Sequence, residues 1–527
     1  MVYEYDDTIL CIDAGLMFPE EDMPGVDIVI PDVTYLVQNA DKVKGFILTH
    51  GHEDHIGALA YILPQINVPV YGTRLTLGLV RNKLRERRLL DQVDLRLIDE
   101  HSKLEFGPFN VEFVHLCHSI PDAVGVVIRS PIGNVLHVSD FKFDPHPVDG
   151  RLTDEAKLKA LGDEGIRFLL SDSTNSEVIG FTPSELELEQ VLEKIISEAP
   201  GRVILATFAS NISRVQQVIN VAMRHGRKVG VTGRSMINNT RMAAELGYLT
   251  PPPDGLLTPD QMNYLPPEQV VIVCTGSQGE PTSALVRMSR GQYRHLRIGK
   301  GDTVIISASP IPGNEKMIHR TLDNLFRLGA DIYYDELFDV HVSGHGSRED
   351  LKRLIELVQP EYMIPIHGEY RQLVLHARLA KSLGIPEDHI FIIEDGQVVE
   401  VGKEWIFTDG TVTSGRVLVD GLGVGDIGSV VLRDRRHLAR DGFLVVTVGL
   451  DEETGEVILG PEILSRGFVY VAESENLLDD AKEVVWDVLE TYDSVQDVAT
   501  HLHTALADFC YRAMRRRPMI LPLVVEL

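Results

Sequence analysis

Residues 46–59 read FILTHGHEDHIGAL, an apolar strand pattern that runs into a turn crowded with His50, His52, Glu53, Asp54 and His55 and then into a helical pattern. No other stretch constrains the fold so tightly, because so many donor groups at a strand-to-helix turn must share a purpose. In a turn, side chains two apart converge on one ion, and those four and five along face a second ion across the helix mouth. Imidazole with carboxylate and no thiolate suits Zn, Mn or Fe in a catalytic site. For any single histidine a solvated polar turn is the plainer reading. Four donors in one register behind a strand favour metal.

Such a centre needs donors from elsewhere. His118 follows the strand pattern VEFVHLC, Asp140 ends NVLHVSD, and His367 follows EYMIPI and precedes Gly368. All three sit where an apolar strand stops, the position that α/β architectures use for chemistry. His115 lies inside its strand and reads as packing, whereas His101, His225 and His295 read as surface residues.

The chain has 527 residues, enough for two to four domains. Early strands (8–13, 44–49, 111–117, 123–130, 134–140) outnumber early helices, which predicts mixed pairing. From about residue 166 strands and helices alternate strictly, which predicts parallel strands with crossover helices in a block of roughly 160 residues. Helix, strand (EYMIPIHG), helix and strand (HIFIIED) follow. A Gly-, Asp- and Arg-rich stretch near 402–440 reads as a linker before a small α+β module. The formal charge of −28 disfavours polyanions at long range, although a metal pair or a few well-placed arginines make a local positive field. Four scattered cysteines in apolar runs suit a reducing, cytoplasmic setting. No apolar run reaches eighteen residues, so no membrane partner is expected. The start MVYEYDDTIL has no secretory pattern.

With Asp13 in ILCIDAG, HGHEDHIG, His118 and Asp140 in that order, the chain resembles the metallo-β-lactamase fold. The motifs IDAGLMFPE, VSDFKFD, SDSTN, ATFASN, TGSQGEP, SGHGS and PIHGEYR resemble those of the bacterial ribonuclease J family of β-CASP nucleases, over essentially the whole length. The resemblance implies an α/β protein: a metallo-β-lactamase αββα sandwich (1–180 and 346–428) split by a β-CASP parallel α/β insertion (181–345). A linker (429–441) and a C-terminal α+β domain (442–527) complete it. It implies two divalent ions, Zn²⁺ first, with Mn²⁺ as the alternative and Mg²⁺ as an assisting ion. One would be held by His50, His52 and His118, the other by Asp54, His55 and His367, with Asp140 bridging and Asp13 supporting through hydrogen bonds. More than two hundred residues separate Asp140 from His367, so the insertion would split the metal domain and place the site in a cleft.

The implied activity is hydrolysis of single-stranded RNA, 5′→3′ from a monophosphorylated end and also internally, in RNA decay and maturation. Besides Asp54, the catalytic candidates are His345, which would protonate the leaving 3′ oxygen, and Asp172, which would orient and charge it. The helix start at Ser343, Gly344, His345 and Ser347, with His341 nearby, would hold the 5′-phosphate. Ser210, Asn211 and Ser277 of the Gly276–Gly279 turn are further candidates. RNKLRERR (81–88) and RMSRGQYRHLR (287–297) could guide the backbone, the latter with Tyr293 and His295 stacking on bases; Arg515–Arg517 read as module surface. Expected protein partners are a second copy, as homodimer or homotetramer, and other RNA-decay enzymes. A DNA-directed nuclease, a small-ester hydrolase and a catalytically silent scaffold are the alternatives. A silent chain should have lost several ligands, and all seven positions are filled.

Overall fold

A computed structural model describes residues 1–20, 22–311, 313–408, 410–421, 423–469, 475–492 and 494–527. The chain forms two compact units, Met1–Met17 with Ile30–Arg416, and Phe18–Val29 with Val417–Leu527.

In the first unit, strands Val2–Tyr5, Thr8–Ile12, Val43–Ile47, Val70–Gly72 and Leu95–Leu97 lie side by side in chain order. Only the first pair is antiparallel. A second sheet has six strands, in the order Tyr362–Ile366, Phe168–Asp172, Gly133–Val138, Val124–Ser130, Phe109–His115 and Lys103–Phe106. The sheets face each other through alternating apolar residues, Leu10, Ile12 and Ile47 against Val111, Phe113, Val126 and Ile128. The other face of the second sheet is covered by helices Glu155–Glu164, Arg348–Val358 and Tyr370–Ser382, through Leu158, Leu351, Leu354 and Leu379. The αββα sandwich expected from the motifs is therefore the one that forms.

The run that ends at Asp172 opens the alternating block in sequence, yet it pairs in this second sheet, parallel to both Gly133–Val138 and Tyr362–Ile366. The insertion's own sheet is Lys228–Thr232, Val270–Cys274, Val203–Ala206, Thr303–Ile306 and Asp331–Tyr334, all parallel as expected. HIFIIED, expected as a strand, contributes only an isolated bridge from Ile390 to Met363.

A buried ion chain seats the insertion on the sandwich. Lys142 Nζ donates to Glu185 Oε1 at 3.0 Å and lies 3.4 Å from Asp144, and Arg214 donates to Glu185 Oε2 at 3.2 Å. Burial alone would raise the Glu185 carboxyl, but Lys142 and Arg214 outweigh it and hold it at about 2. A depressed acid stabilises the fold fully above its unfolded value near 4.5 and loses that contribution as pH falls toward 2. Between pH 5 and pH 3 the wild type should therefore lose roughly 2 kcal/mol that Glu185→Gln does not. Chemical unfolding of both proteins across that range reads the difference; parallel loss would contradict the assignment.

In the second unit, strand Phe443–Leu450 pairs antiparallel with Val457–Arg466 and parallel with Met519–Glu526. Helices Glu475–Leu489 and Val495–Met514 cover one face, with Val446, Val448, Val485, Val498 and Leu502 in the core. The expected linker 429–441 is instead a regular helix, Ser429–Asp441. A segment from near the N-terminus joins this unit, with Val26 and Val29 packing on Leu418 and Ile427 and Asp27 N donating to Val419 O. Among the described residues no helix is long and apolar enough to cross a membrane.

Candidate metal centre

Adjacent parallel strands align their ends. Gly133–Val138, Phe168–Asp172 and Tyr362–Ile366 are neighbours in one sheet and deliver Asp140, Asp172 and His367 to one edge. Opposite them the strand Val43–Ile47 delivers the turn His50–His55, whose last residues form the short helix Glu53–Ile56. His118 comes from the loop after Phe109–His115, three residues beyond the strand end.

The rings are fixed by what their outer nitrogens touch. Asp13, at φ 61°, accepts from Thr49 N and Thr49 Oγ1 and from His55 Nδ1, each at 2.8 Å. Thr49 Oγ1 in turn lies 3.1 Å from His50 Nδ1, and His118 Nδ1 donates to Gly344 O at 2.7 Å. Each bond turns the ring's Nε2 inward and assigns it the lone pair, as hydrogen bonds on the far nitrogen do at metal sites. Gly344 must be glycine, because a Cβ there would lie 2.5 Å from His118 Cε1. His367 also has positive φ, 51°, so two site residues sit in backbone conformations that side chains disfavour.

Two donor sets result. His52 Nδ1 lies 3.1 Å from His50 Nε2 and 3.0 Å from His118 Nε2, and Asp140 Oδ2 is 3.4 and 3.5 Å from the latter two. Asp140 Oδ2 is also 3.4 Å from His55 Nε2, Oδ1 is 3.5 Å from His367 Nε2, and Asp54 Oδ2 is 3.6 and 3.8 Å from those rings. Within each set the donor atoms lie within 4.8 Å of one another, and Asp140 belongs to both. His55 Nε2 and Asp140 Oδ2 are buried without a hydrogen-bond partner. Leaving such atoms unpaired costs roughly 1–3 kcal/mol each, and divalent cations would satisfy both, so the residues fit the implied ions. Burial keeps His50 and His118 well below the usual histidine range and His52 at about 4, in the neutral form a cation needs. Burial disfavours charge on His55, but Asp140, Asp54 and Asp13 outweigh it, so this half of the pocket draws positive charge.

His345 stands beside both sets. Its Nδ1 donates to Asp172 Oδ2 at 2.9 Å, and its Nε2 is 3.8 Å from Asp140 Oδ2. Burial opposes the charged ring, but Asp172 and Asp140 prevail and push it up to about 9. Asp172 is itself held by Thr174, whose N and Oγ1 donate to Oδ1 at 2.9 and 2.8 Å. Asp140, Asp172, His345 and His367 also form a donor group, so geometry alone leaves His345 as ligand or as acid.

The expected phosphate cradle at the helix start is closed. Ser347 is buried and its N–H is taken by Thr182 Oγ1 and Asp350; the next two amides, Arg348 and Glu349, donate to the carbonyls of Val178 and Gly180. Ser347 therefore presents no free donor. Asn211 is likewise buried and caps its own helix by accepting from Arg214 N. Ser343 remains beside the site, accepting from Asn175 Nδ2 and His345 N, while Ser277 is buried under the turn. His341 is half-buried next to the ion chain, its Nδ1 unpartnered, and burial lowers it to about 3. Ser210 is half-buried, one residue before the Asn211 cap.

Of the basic stretches, Lys83 pairs with Glu53 and Arg87 lies over Tyr61. Tyr293 bonds to Thr232, and His295 Nδ1 lies 3.0 Å from Asp260. These bonds fix the edges of the two rings within the insertion. His115 is buried, as expected for packing, and the His101 side chain is 85 % exposed. Thr49, Thr174, Asn175 and Thr182 were not foreseen. Only Thr174 had a local signal, its spacing two after Asp172, typical of an aspartate-capped turn.

Residues 1–179 match the family model of the metallo-beta-lactamase superfamily, and 200–325 match that of the ribonuclease J beta-CASP domain. Residues 332–392 match the Zn-dependent metallo-hydrolase RNA specificity domain, and 430–527 the ribonuclease J C-terminal domain. Ribonuclease J2 of Bacillus subtilis is 42 % identical over 100 % of this chain and 95 % of its own. Ribonuclease J of Thermus thermophilus is 43 % identical over 100 % of this chain and 92 % of its own. A crystal structure of a protein of unknown function from Enterococcus faecalis has a TM-score of 0.52 at 17 % identity, over 75 % of this chain and 94 % of that one; the likeness is one of fold.

Proposed function

The chain belongs to the ribonuclease J family, and from that premise we propose that it is a 5′→3′ exoribonuclease with added endonuclease activity on single-stranded RNA. Membership makes it a metal-dependent ribonuclease with RNA as substrate. Direction, end preference and the role of each residue are our reading, and the division into sandwich, insertion and C-terminal domain is taken as functional.

The observation that carries it is the pair of donor sets sharing Asp140, with the His345–Asp172 couple alongside. His50, His52 and His118 would hold one divalent ion and Asp54, His55 and His367 the other, Zn²⁺ or Mn²⁺ by donor type. Such a pair, when bound, polarises a phosphodiester and supplies a nucleophile at neutral pH. The chain's own residues do the rest. Asp13 and Thr49 hold the His55 and His50 rings in the ligating tautomer. Asp172 keeps His345 charged and aimed, so that Nε2–H can protonate the leaving 3′ oxygen. Asn175 and Thr182 fix the loop that carries it, through His345 O at 3.0 and 2.8 Å.

With the helix start closed, a 5′-monophosphate would be bound by Ser343 and by the loops at the carboxyl ends of the insertion's strands, near Ser210 and Ser277. If these groups enclose the terminal phosphate, the bulk and charge of a 5′-triphosphate should be disfavoured against a 5′-monophosphate. Mononucleotide release from one labelled RNA carrying 5′-monophosphate, triphosphate or hydroxyl ends tests this. Equal rates would remove the end preference and leave internal cutting standing.

Self-association is proposed through the uncovered sheet face of the C-terminal unit. Leu464, Leu521, Leu523 and Val525 are exposed there, opposite the face the helices cover. Leu521→Asp with Leu523→Asp should shift the sedimentation coefficient toward that of a monomer; an unchanged value would reject this face.

A further inference from the structure

The C-terminal unit carries a row of arginines for which the nuclease reading has no use. On a chain of formal charge −28, helix Ser429–Asp441 holds Arg433, Arg435, Arg436 and Arg440 against only Asp434 and Asp441. Arg512, Arg515, Arg516 and Arg517 cluster at the end of helix Val495–Met514, and neither cluster contains a lysine. Arg433, Arg436, His437 and Arg440 recur at the spacing of one helical face. That face meets the second cluster, because His437 Nε2 donates to Arg517 O at 2.5 Å.

These guanidinium groups are only loosely engaged. Arg433, Arg436 and Arg440 have side chains 71, 51 and 85 % exposed, and among the described residues they pair with Asp434, Asp22 and Asp441 at 3.6, 3.8 and 3.9 Å, ion pairs beyond hydrogen-bond reach. Arg435 differs, being tied to Asp420 at 2.6 Å, and Arg516 spends a donor on Phe468 O at 2.9 Å. The guanidinium carbons of Arg515 and Arg517 lie 5.3 and 4.7 Å from the ring centre of the half-exposed Tyr511. Among the described residues neither is paired with a carboxylate. Like charges gathered in this way repel one another unless a polyanion meets them. The guanidinium fork matches phosphate oxygens, and an exposed tyrosine offers a base a stacking face.

We propose that this row, Arg433, Arg436, Arg440, Arg515 and Arg517 with Tyr511, is a second RNA-binding surface that grips the phosphodiester backbone of long single-stranded substrates without reading sequence. RNA as the occupant rests on the ribonuclease reading of the metal centre; the surface itself does not. An anionic lipid layer would want apolar side chains among the charges. At 3.6 residues per turn the helix places its exposed Val431 and Leu438 on roughly the opposite side, and Val430 alone flanks the arginine face.

The test is the full-length protein with those five arginines changed to Gln, its folding checked by thermal melting. Binding is read by anisotropy with long and short 2′-O-methyl RNAs across a salt series, and turnover with unmodified RNAs of both lengths. Affinity for the long RNA should fall ~10-fold, and the slope of log K against log salt should flatten by up to about 3.5, at ~0.7 per lost phosphate contact. Turnover of the short RNA should keep its kcat and KM, while KM for the long RNA rises. Unchanged affinity and slope would overturn the proposal. So would wild-type binding to phosphatidylglycerol vesicles that the substitutions abolish while RNA affinity stays the same. If the wild type cleaves no RNA but the variant still loses RNA affinity, the surface stands and the ribonuclease reading falls.

Discussion

His52→Ala and Asp140→Ala should each cut RNA hydrolysis by more than ~10³-fold, the worth of several kcal/mol of lost charge stabilisation, and each should lower bound divalent metal. The two differ in reach. His52 is in one donor set only, so its loss should remove one ion per chain. Asp140 serves both sets, so its loss should deplete both. Asp13 is the control. It touches Thr49 and His55 rather than the centre itself, and Asp13→Ala should cost only ~10–100-fold in affinity or activity, as losses of orienting partners do. Metal analysis of purified proteins beside rates on one labelled RNA reads all three. Full activity with undiminished metal in either ligand variant would break the two-set assignment, and equal effects of Asp13→Ala and Asp140→Ala would erase the distinction between ligand and support.

That these donors gather in one place was legible in the sequence because the pattern is local. His50, His52, Asp54 and His55 share one turn, and His118, Asp140 and His367 each follow a recognisable strand. Topology alone then brings them together. The phosphate half was not legible, because whether a helix start is open depends on what packs over it. Ser347 looked free as part of SGHGS, yet Thr182, Val178 and Gly180, more than 160 residues earlier, satisfy its first turn. Tyr293 and His295 are held at their edges by Thr232 and Asp260, partners on other elements that the local sequence does not name. The docking of residues 18–29 on the C-terminal unit had no sequence signal beyond a short apolar run. Donor identity is written in the sequence, whereas the availability of a donor is settled by tertiary contacts.

His345 is where those two kinds of information meet, and replacing it should separate its role from that of His367. Its Nδ1 is committed to Asp172, and its Nε2 stands 3.8 Å from Asp140, farther than the other Nε2 atoms around that carboxylate. If it donates a proton to the leaving oxygen, His345→Ala should keep metal content and RNA affinity near the wild-type values and slow cleavage by ~10²–10⁴-fold. The defect should shrink on RNA with a 3′-bridging phosphorothiolate, because a thiolate leaves without protonation. Asp172→Asn should repeat the pattern in milder form, since the ring would keep its place and lose the charge that holds its proton. His367→Ala should instead lose metal and gain nothing from the sulfur substrate, because its Nε2 faces both Asp54 and Asp140. Rescue in both histidine variants, or metal loss in both, would mean that the two rings share one role. The donor group of Asp140, Asp172, His345 and His367 would then be the true second ion site.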